Sequence, residues 1–456
     1  MKSHFLSALS HDLEIAPFPG FGPSVPKAHR YRLAVYAVLT CNPRAGAHWR
    51  VKYAGFDCRA PDAGISARLA PGDIRDMSMQ QTWVSRGETL PSRAVRDFGP
   101  RLKFGHDTGF QRELRRRVED FIRRTGLCQR DCPRMYVKTA IILAAFMFSY
   151  ALLVFFVHTW WQALPLAVIL AFATAEIGFN IQHDGGHKAY SNRAWVNKLM
   201  AMSLDMVGGS SYVWRWKHVV FHHTYVNVKD HDTDIDLGIF GRLSPQQRRR
   251  ALHRWQHFYL WPLYGVMVIK WHLYDDFHDV ITGRMGENRF PRPRGWELVL
   301  FIGSKLTFLV LAFGIPLLFH PLWSVVLFYV LIAGIVGVFL SVVFQLAHAV
   351  EPADFPCADK ITGRIENPWA VHQVQSSVDF ARSSRLVSWL VGGLNFQIEH
   401  HLFPTLSHVN YPAISGIVEN TCREFGVHYA AQPSFRAAVA SHFRWLRRLA
   451  HSDSGA

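Results

Sequence analysis

Apolar residues gather in four stretches of the chain, at residues 139–157, 163–182, 298–319 and 322–347. A helix needs roughly 20 apolar residues to cross a bilayer, and each stretch is close to that length. The first and fourth carry no charge, the second is interrupted only by Glu176, and the third contains Lys305. Only HTWWQ separates the first two stretches and only HP the last two. The pattern therefore predicts two tight helical hairpins. Buried helix pairs of a soluble protein are the alternative, but uncharged runs of this length favour a membrane.

Polar positions give the sidedness. Residues 101–138 are dense in Arg and Lys, as in RELRRRVEDFIRR, and residues 183–297 are also basic, whereas the two hairpin tips have neither Lys nor Arg. By the positive-inside rule both termini and the long middle region are cytoplasmic. A further apolar and aromatic segment, FYLWPLYGVMVIKWHLY (258–274), is read as a helix lying at the interface. As a fifth span it would put the histidine clusters described below on opposite faces. SFRAAVASHFRWLRRLA, within a C-terminal tail over residues 431–456, has the pattern of a basic amphipathic helix against lipid headgroups. An ordinary surface helix is its alternative. Residues 1–95 are rich in Pro, Gly, Ala and Arg without helical or strand periodicity, and a poorly structured N-terminal extension is expected there. The first 30 residues lack the continuous apolar core of a secretory leader. The expected fold is an all-α integral membrane protein, with four transmembrane helices in two hairpins and a cytoplasmic helical cap over residues 96–430.

Composition narrows the partners. Of 456 residues, 50 are Lys or Arg and 34 are Asp or Glu, a net charge of +16. Such an excess suits nucleic acid or an anionic membrane surface. Because it borders the apolar spans, it is assigned to membrane lipids, and nucleic acid drops out as a partner. The six cysteines (Cys41, Cys58, Cys128, Cys132, Cys357, Cys422) form no CxxC pair, so neither a disulfide framework nor a zinc finger is expected.

Histidine is frequent, with 25 residues, and it is clustered. HDGGH places His183 and His187 four apart, directly after the second span. HVVFHH repeats the spacing at His218 and His222 and adds His223. His348 closes the fourth span in FQLAHAVE, and NFQIEHHLFP holds His400 and His401 with Gln397 three positions before His400. On an α-helix a four-residue spacing stacks two imidazoles on one face. The inferred sidedness returns every cluster to the same cytoplasmic edge, although two spans separate them. Scattered core histidines have no reason to converge in this way, so the clusters are read as metal ligands. Eight histidines and an amide are too many for one zinc and suit two metal ions with open positions. Imidazole ligation is compatible with iron, copper or zinc. Of these, a pair of irons can bind and reduce O2, and a site at a bilayer edge can exclude water while attacking a C–H bond of a lipid chain.

At these residues the sequence resembles the membrane fatty acid desaturases of the front-end type, whose third histidine box is QxxHH. The resemblance runs from about residue 104 to residue 429, through HDGGH, HVVFHH and QIEHHLFP, the DTDID segment (232–236) and WQHFYLWPLYG (255–265). It implies a four-span fold with a cytoplasmic di-iron cap and O2-dependent insertion of a cis double bond into a long-chain acyl-CoA or acyl-lipid. Carried over by position, the iron ligands are His183, His187, His218, His222, His223, Gln397, His400 and His401, with His348 matching an extra histidine after the fourth span. Residues 1–95 contain no His-Pro-Gly-Gly haem motif of a fused cytochrome b5. Electrons are then expected from an external ferredoxin or cytochrome b5 with its reductase. Bacterial desaturases of this unfused form imply an inner-membrane location.

Further candidates follow from position. Asp184, Asp232, Asp234, Asp236 and Glu399 are candidates to orient imidazole N–H groups, each with a solvated surface role as the alternative. Asn395 is a candidate to hold a water beside the metal, and Trp214, Trp216, Trp255 and Tyr264 to line an acyl tunnel or to act as interface anchors. Gln397 offers an amide oxygen, a weaker neutral ligand than imidazole, directly or through a water. The rival readings are a histidine-box lipid hydroxylase, a sphingoid-base desaturase, a carotenoid ketolase or, from another class, a membrane receptor or transporter.

Overall fold

The structure is a computed structural model describing residues 9–13, 31–42, 46–52, 102–359 and 361–452. The chain divides into two compact units, Met1–Met79 and Gln80–Ala456. In the first, strands β1 (Leu9–Leu13), β2 (Tyr31–Asn42) and β3 (Gly46–Lys52) pair antiparallel in that order, with Leu9 opposite Val35 and Tyr36 opposite Lys52. These strands lie where the sequence pattern predicted no regular element. The remainder of the extension expected over residues 1–95 lies outside the described residues.

The second unit is built on four long apolar helices: α2 (Pro133–Phe155), α3 (Trp160–Gly186), α9 (Trp296–Leu318) and α10 (Leu322–His348). Each is long and apolar enough to cross a membrane. Their outward faces decide between a bilayer and a soluble core. Val137 is 61% exposed, Phe148 67% and Leu327 55%, and apolar surface this extensive on long helices needs a lipid cover. Inward faces pack with small residues. Ile142 and Phe146 of α2 meet Leu170, Ala173 and Ile177 of α3, while Ala171 and Ala175 of α3 meet Ala333 and Val336 of α10. Small side chains let backbones approach where no hydrophobic effect drives association. Within the apolar stretches, Lys305 and one oxygen of Glu176 find partners inside the protein, while Glu176 Oε1 is buried without one. Lys305 donates to Asp276 Oδ2 at 2.6 Å and to the Gly208 carbonyl at 2.7 Å, and Glu176 accepts from Asn180 Nδ2 at 2.5 Å.

The 258–274 segment is not one helix. It breaks into α6 (Gln256–Leu263), α7 (Val266–Lys270) and a π-helical turn, Trp271–Asp275, that leads into α8 (Asp276–Thr282). Pro262 and Gly265 mark the break. A Cβ at Gly265 would lie 3.2 Å from the Gly334 carbonyl of α10, so the segment presses its backbone against the fourth long helix there. Val268 fills the gap beside Ala171 and Val336, while Trp255 and Tyr274 point outward.

The remaining helices form a second core. Phe110, Leu114 and Val118 of α1 (Phe110–Thr125) pack with Val374 of α11 (Trp369–Gln375), Ile398 and Leu402 of α12 (Gln397–Leu402), and Ile414 and Val418 of α13 (Tyr411–Glu424). A short parallel pair, β4 (Lys103–Gly105) with β5 (Arg364–Pro368), anchors the start of this unit. The apolar stripe of the final helix α14 (Phe435–His451), including Trp445, Leu446 and Leu449, packs on protein beside Leu243 and Leu346 rather than on lipid. Its Arg444 and Arg448 both pair with Glu351, at 2.7 and 2.8 Å.

Candidate metal centre

The last turns of α3 bring box one to its place. A π-helical stretch, Ile177–Gln182, precedes His183, and a second, Arg215–His222, lies in the box-two helix α5, which opens at Ser211–Trp214 and closes at His223–Tyr225. π turns are rare and concentrate at functional sites. Gly185 and Gly186 are required by close approach. A Cβ at Gly185 would lie 2.6 Å from the backbone nitrogen of Ala201 in α4 (Ala194–Ala201), and one at Gly186 would lie 2.2 Å from Trp214 Cζ3.

Eight imidazoles converge, and they sort into two groups. His183, His187, His218 and His400 bring one nitrogen each to within 4.8 Å of one another, and so do His222, His348 and His401. His223 joins His400 and His401 under the same limit, and its ring lies 4.5 Å from that of His187 and 4.3 Å from that of His401. The four-residue spacing of HVVFHH therefore serves both groups. His218 and His222 stack, with ring centroids 5.1 Å apart, yet His218 faces the first group and His222 the second.

The nitrogens facing inward have no adequate protein partners. His183 Nε2 lies 3.2 Å from His218 Nε2, and His348 Nε2 lies 3.3 Å from His401 Nε2. A single proton satisfies one such pair, whereas several lone pairs converge. The Nε2 atoms of His187, His222 and His400, both ring nitrogens of His223 and Gln397 Oε1 are buried without a hydrogen bond. Buried polar atoms are normally paired, and a cation at each group would accept these lone pairs together. Gln397 Nε2 stands 2.9 Å from His348 Nε2 and 3.2 Å from His401 Nε2, so the amide belongs to the second group. Burial and neighbouring imidazoles hold His187, His218, His223, His400 and His401 well below the usual histidine range. They are neutral, the form that binds metal. His222 differs. Burial alone would lower it, but Asp232 and Asp234 bring it above its ordinary value.

The outward ring nitrogens are held. His222 Nδ1 donates to Asp232 Oδ2 at 3.1 Å and His348 Nδ1 to the Ser376 carbonyl at 3.0 Å, and His401 Nδ1 lies 2.9 Å from the side-chain amide of Gln373. His400 Nδ1 lies 3.2 Å from Tyr411 Oη. A donating Nδ1, as in His222 and His348, leaves Nε2 free to ligate, the usual support of a metal-bound histidine. The histidine clusters thus fit a metal site.

The fatty acid desaturase family model matches residues 159–433, which include all of these histidines. The chain belongs to the fatty acid desaturase family. It is similar to the sn-1 linoleoyl-lipid 6-desaturases of Synechocystis sp. (37% identical over 350 residues, 76% of this chain and 98% of the relative) and Arthrospira platensis (37% over 355 residues, 76% and 95%). It also matches the acyl-lipid (8-3)-desaturase of Physcomitrium patens, 36% identical over 340 residues that cover 74% of this chain and 70% of that one. The protein is accordingly an oxidoreductase that desaturates fatty acids.

Within this desaturase the other sequence candidates separate. Of the five acids, Asp232 holds an imidazole and Asp234 lies behind it, 3.7 Å from His222 Nδ1 and 3.4 Å from Lys217 Nζ. Asp236 accepts from the Gly238 backbone instead, and Asp184 bonds the Ser407–His408 turn. Glu399 faces away from the imidazoles. Tyr429 Oη donates to Asp379 Oδ2 at 2.5 Å and approaches Glu399 Oε1 at 3.0 Å, and burial next to Asp379 raises Glu399 well above the usual carboxylate range. Asn395 Nδ2 donates to Ser388 Oγ at 3.1 Å, and its Oδ1 is buried without a hydrogen bond. Trp214 stacks on His218 with centroids 4.7 Å apart and meets His183 and His187 edge-on. Trp216 packs with Phe221 and Phe290, Trp255 is exposed, and Tyr264 pairs with His442. Gln373, Tyr411 and the Ser376 carbonyl were not singled out from the sequence, because none lies in a motif and each reaches the histidines only through tertiary folding.

Proposed function

We propose that the protein is a front-end acyl-lipid desaturase with two irons, one at each histidine group. The observation that carries this reading is the placement of Gln397, the residue that distinguishes a QxxHH box, against His348 and His401. The relatives named as linoleoyl-lipid 6-desaturases and acyl-lipid (8-3)-desaturases support both the regiochemistry and the lipid carrier. The ligands are His183, His187, His218 and His400 for one ion and His222, His348, His401 and Gln397 for the other, with His223 between the two and common to both.

When bound, the iron pair supplies O2 activation. Overall, a –CH2–CH2– unit, O2, two electrons and two protons become a cis –CH=CH– unit and two waters. The imidazoles hold metal and carry no proton-transfer role. Trp214 and Phe344, whose ring is 5.0 Å from that of His222 and 5.1 Å from that of His348, exclude water from the centre. A cavity of about 640 Å³ between the long helices, lined by Leu170, Gly178, Phe308, Val336 and Leu340 among others, supports a lipid substrate. Leu340 in its lining stands one helical turn from Phe344, and the cavity is of the size of small-molecule sites. The four helices form two hairpins under a cytoplasmic cap, in a bacterial inner membrane, with both termini cytoplasmic. Electrons come from a separate ferredoxin or cytochrome b5 and its reductase, and the basic α1 face suits an acidic carrier.

Expression in a host without polyunsaturated lipids, fed defined acyl chains and analysed by mass spectrometry, tests the reading. A new cis bond between the carboxyl end and an existing double bond is expected. A hydroxy acid product would refute it.

A further inference from the structure

Box one contains a carboxylate that touches no imidazole of the metal centre. Asp184 is 1% exposed, and its Oδ2 accepts from Ser407 Oγ at 2.9 Å and from the His408 backbone N–H at 3.2 Å. The other oxygen lies 3.0 Å from His408 Nδ1, off the line of an ideal hydrogen bond. Across the same ring, His408 Nε2 lies 3.3 Å from Lys138 Nζ, which also donates to the Trp389 carbonyl at 2.6 Å. An ammonium only donates, so Nε2 accepts and Nδ1 carries the hydrogen that faces Asp184. His408 is 3% exposed and Lys138 5%. A cation, a neutral bridge and an anion thus form one buried line from the first long helix, through the turn after box three, to box one.

That line joins the parts the first histidine group must bring together. His183 and His187 sit at the end of α3 and His218 on α5, while His400 arrives from α12, seven residues before the turn that Asp184 grips. The ring of His400 lies 4.5 Å from that of His183 and 4.9 Å from that of His187. The second group is braced elsewhere, by Asp232, Gln373 and the Ser376 carbonyl. We propose that His408 and Lys138 are positioning residues for the first histidine group, holding the turn after box three against Asp184 so that His400 closes on His183, His187 and His218.

The inference rests on the two-iron reading above, and iron per chain in purified full-length protein separates the two. Wild type is expected to hold two irons, and fewer than one would overturn the reading itself. His408→Leu keeps apolar volume but loses both polar edges, and about one iron is expected, with elution profile and helical content retained. His408→Gln offers a donor and an acceptor together and is expected to keep nearly two. Lys138→Met, which leaves the turn's packing alone, should fall between them. His408→Leu added to His183→Ala should remove nothing further, because both act on one group, whereas added to His348→Ala it should leave almost none. Two irons in His408→Leu, equal loss in the Leu and Gln variants, or further loss on the His183→Ala background would each overturn the inference. Should His408→Leu fail to fold, Lys138→Met against wild type decides it, and unchanged iron there refutes the role.

Discussion

The two histidine groups differ in how they are built. The first has four imidazoles in close company, of which, among the described residues, only His400 bonds an outer side chain, Tyr411. The second has three imidazoles and an amide, and each imidazole has its Nδ1 held by a separate partner. The first thus depends on the register between α3, α5 and α12, and the second on orientation ring by ring. Damage to an outer partner should therefore act unequally on the two.

The largest effect is expected at the one residue common to both. His223→Ala should leave less than one iron per chain and no detectable product, checked by metal analysis and acyl-chain profiling. Asp232→Asn removes only the charge behind His222 and should weaken metal at the second group about 10–100-fold. Metal titration would then show one tight and one weak ion; two equally weakened ions would break the comparison. Gln397→Ala removes the amide ligand and should weaken the second ion by at least about tenfold, the least expected even for losing an outer support, whereas Gln397→His should retain it. Tyr411→Phe removes one hydrogen bond from the better-populated group, about 1 kcal/mol, and should loosen the first ion only a few-fold. Lys305→Met strands Asp276 in a buried site and should cost about 3–5 kcal/mol of stability. The folded fraction should still carry its full iron, so thermal unfolding and metal content should part company.

The long helices were legible because continuous apolar runs have few other uses. Their ends were not, since polar first turns such as Pro133–Lys138 and last turns such as His183–Gly186 are invisible to hydropathy. The histidine boxes were legible as ligands, while their partition was hidden. A four-residue spacing implies one face only if the helix is α, and Arg215–His222 is π. The break in the 258–274 segment was available in Pro262 and Gly265 but was overridden by its apolar composition. Gln373, Tyr411 and His408 carry no motif, and a single chain offers nothing to mark them before folding brings them to the histidines. Of the acids, only proximity in space separates Asp232, which orients an imidazole, from Asp184, which grips a turn.

The π stretches before His183 and before His223 also act as changes of phase. Each inserts an extra residue into a turn, so the helix leaves with its faces rotated relative to those with which it entered. For α3 this offsets the side shown to lipid and to neighbouring helices from the side shown to metal. Residues upstream of Ile177 can therefore vary to suit a thicker or thinner bilayer without turning box one. Deleting a single residue within Ile177–Gln182 would restore uniform pitch and swing His183 and His187 away together.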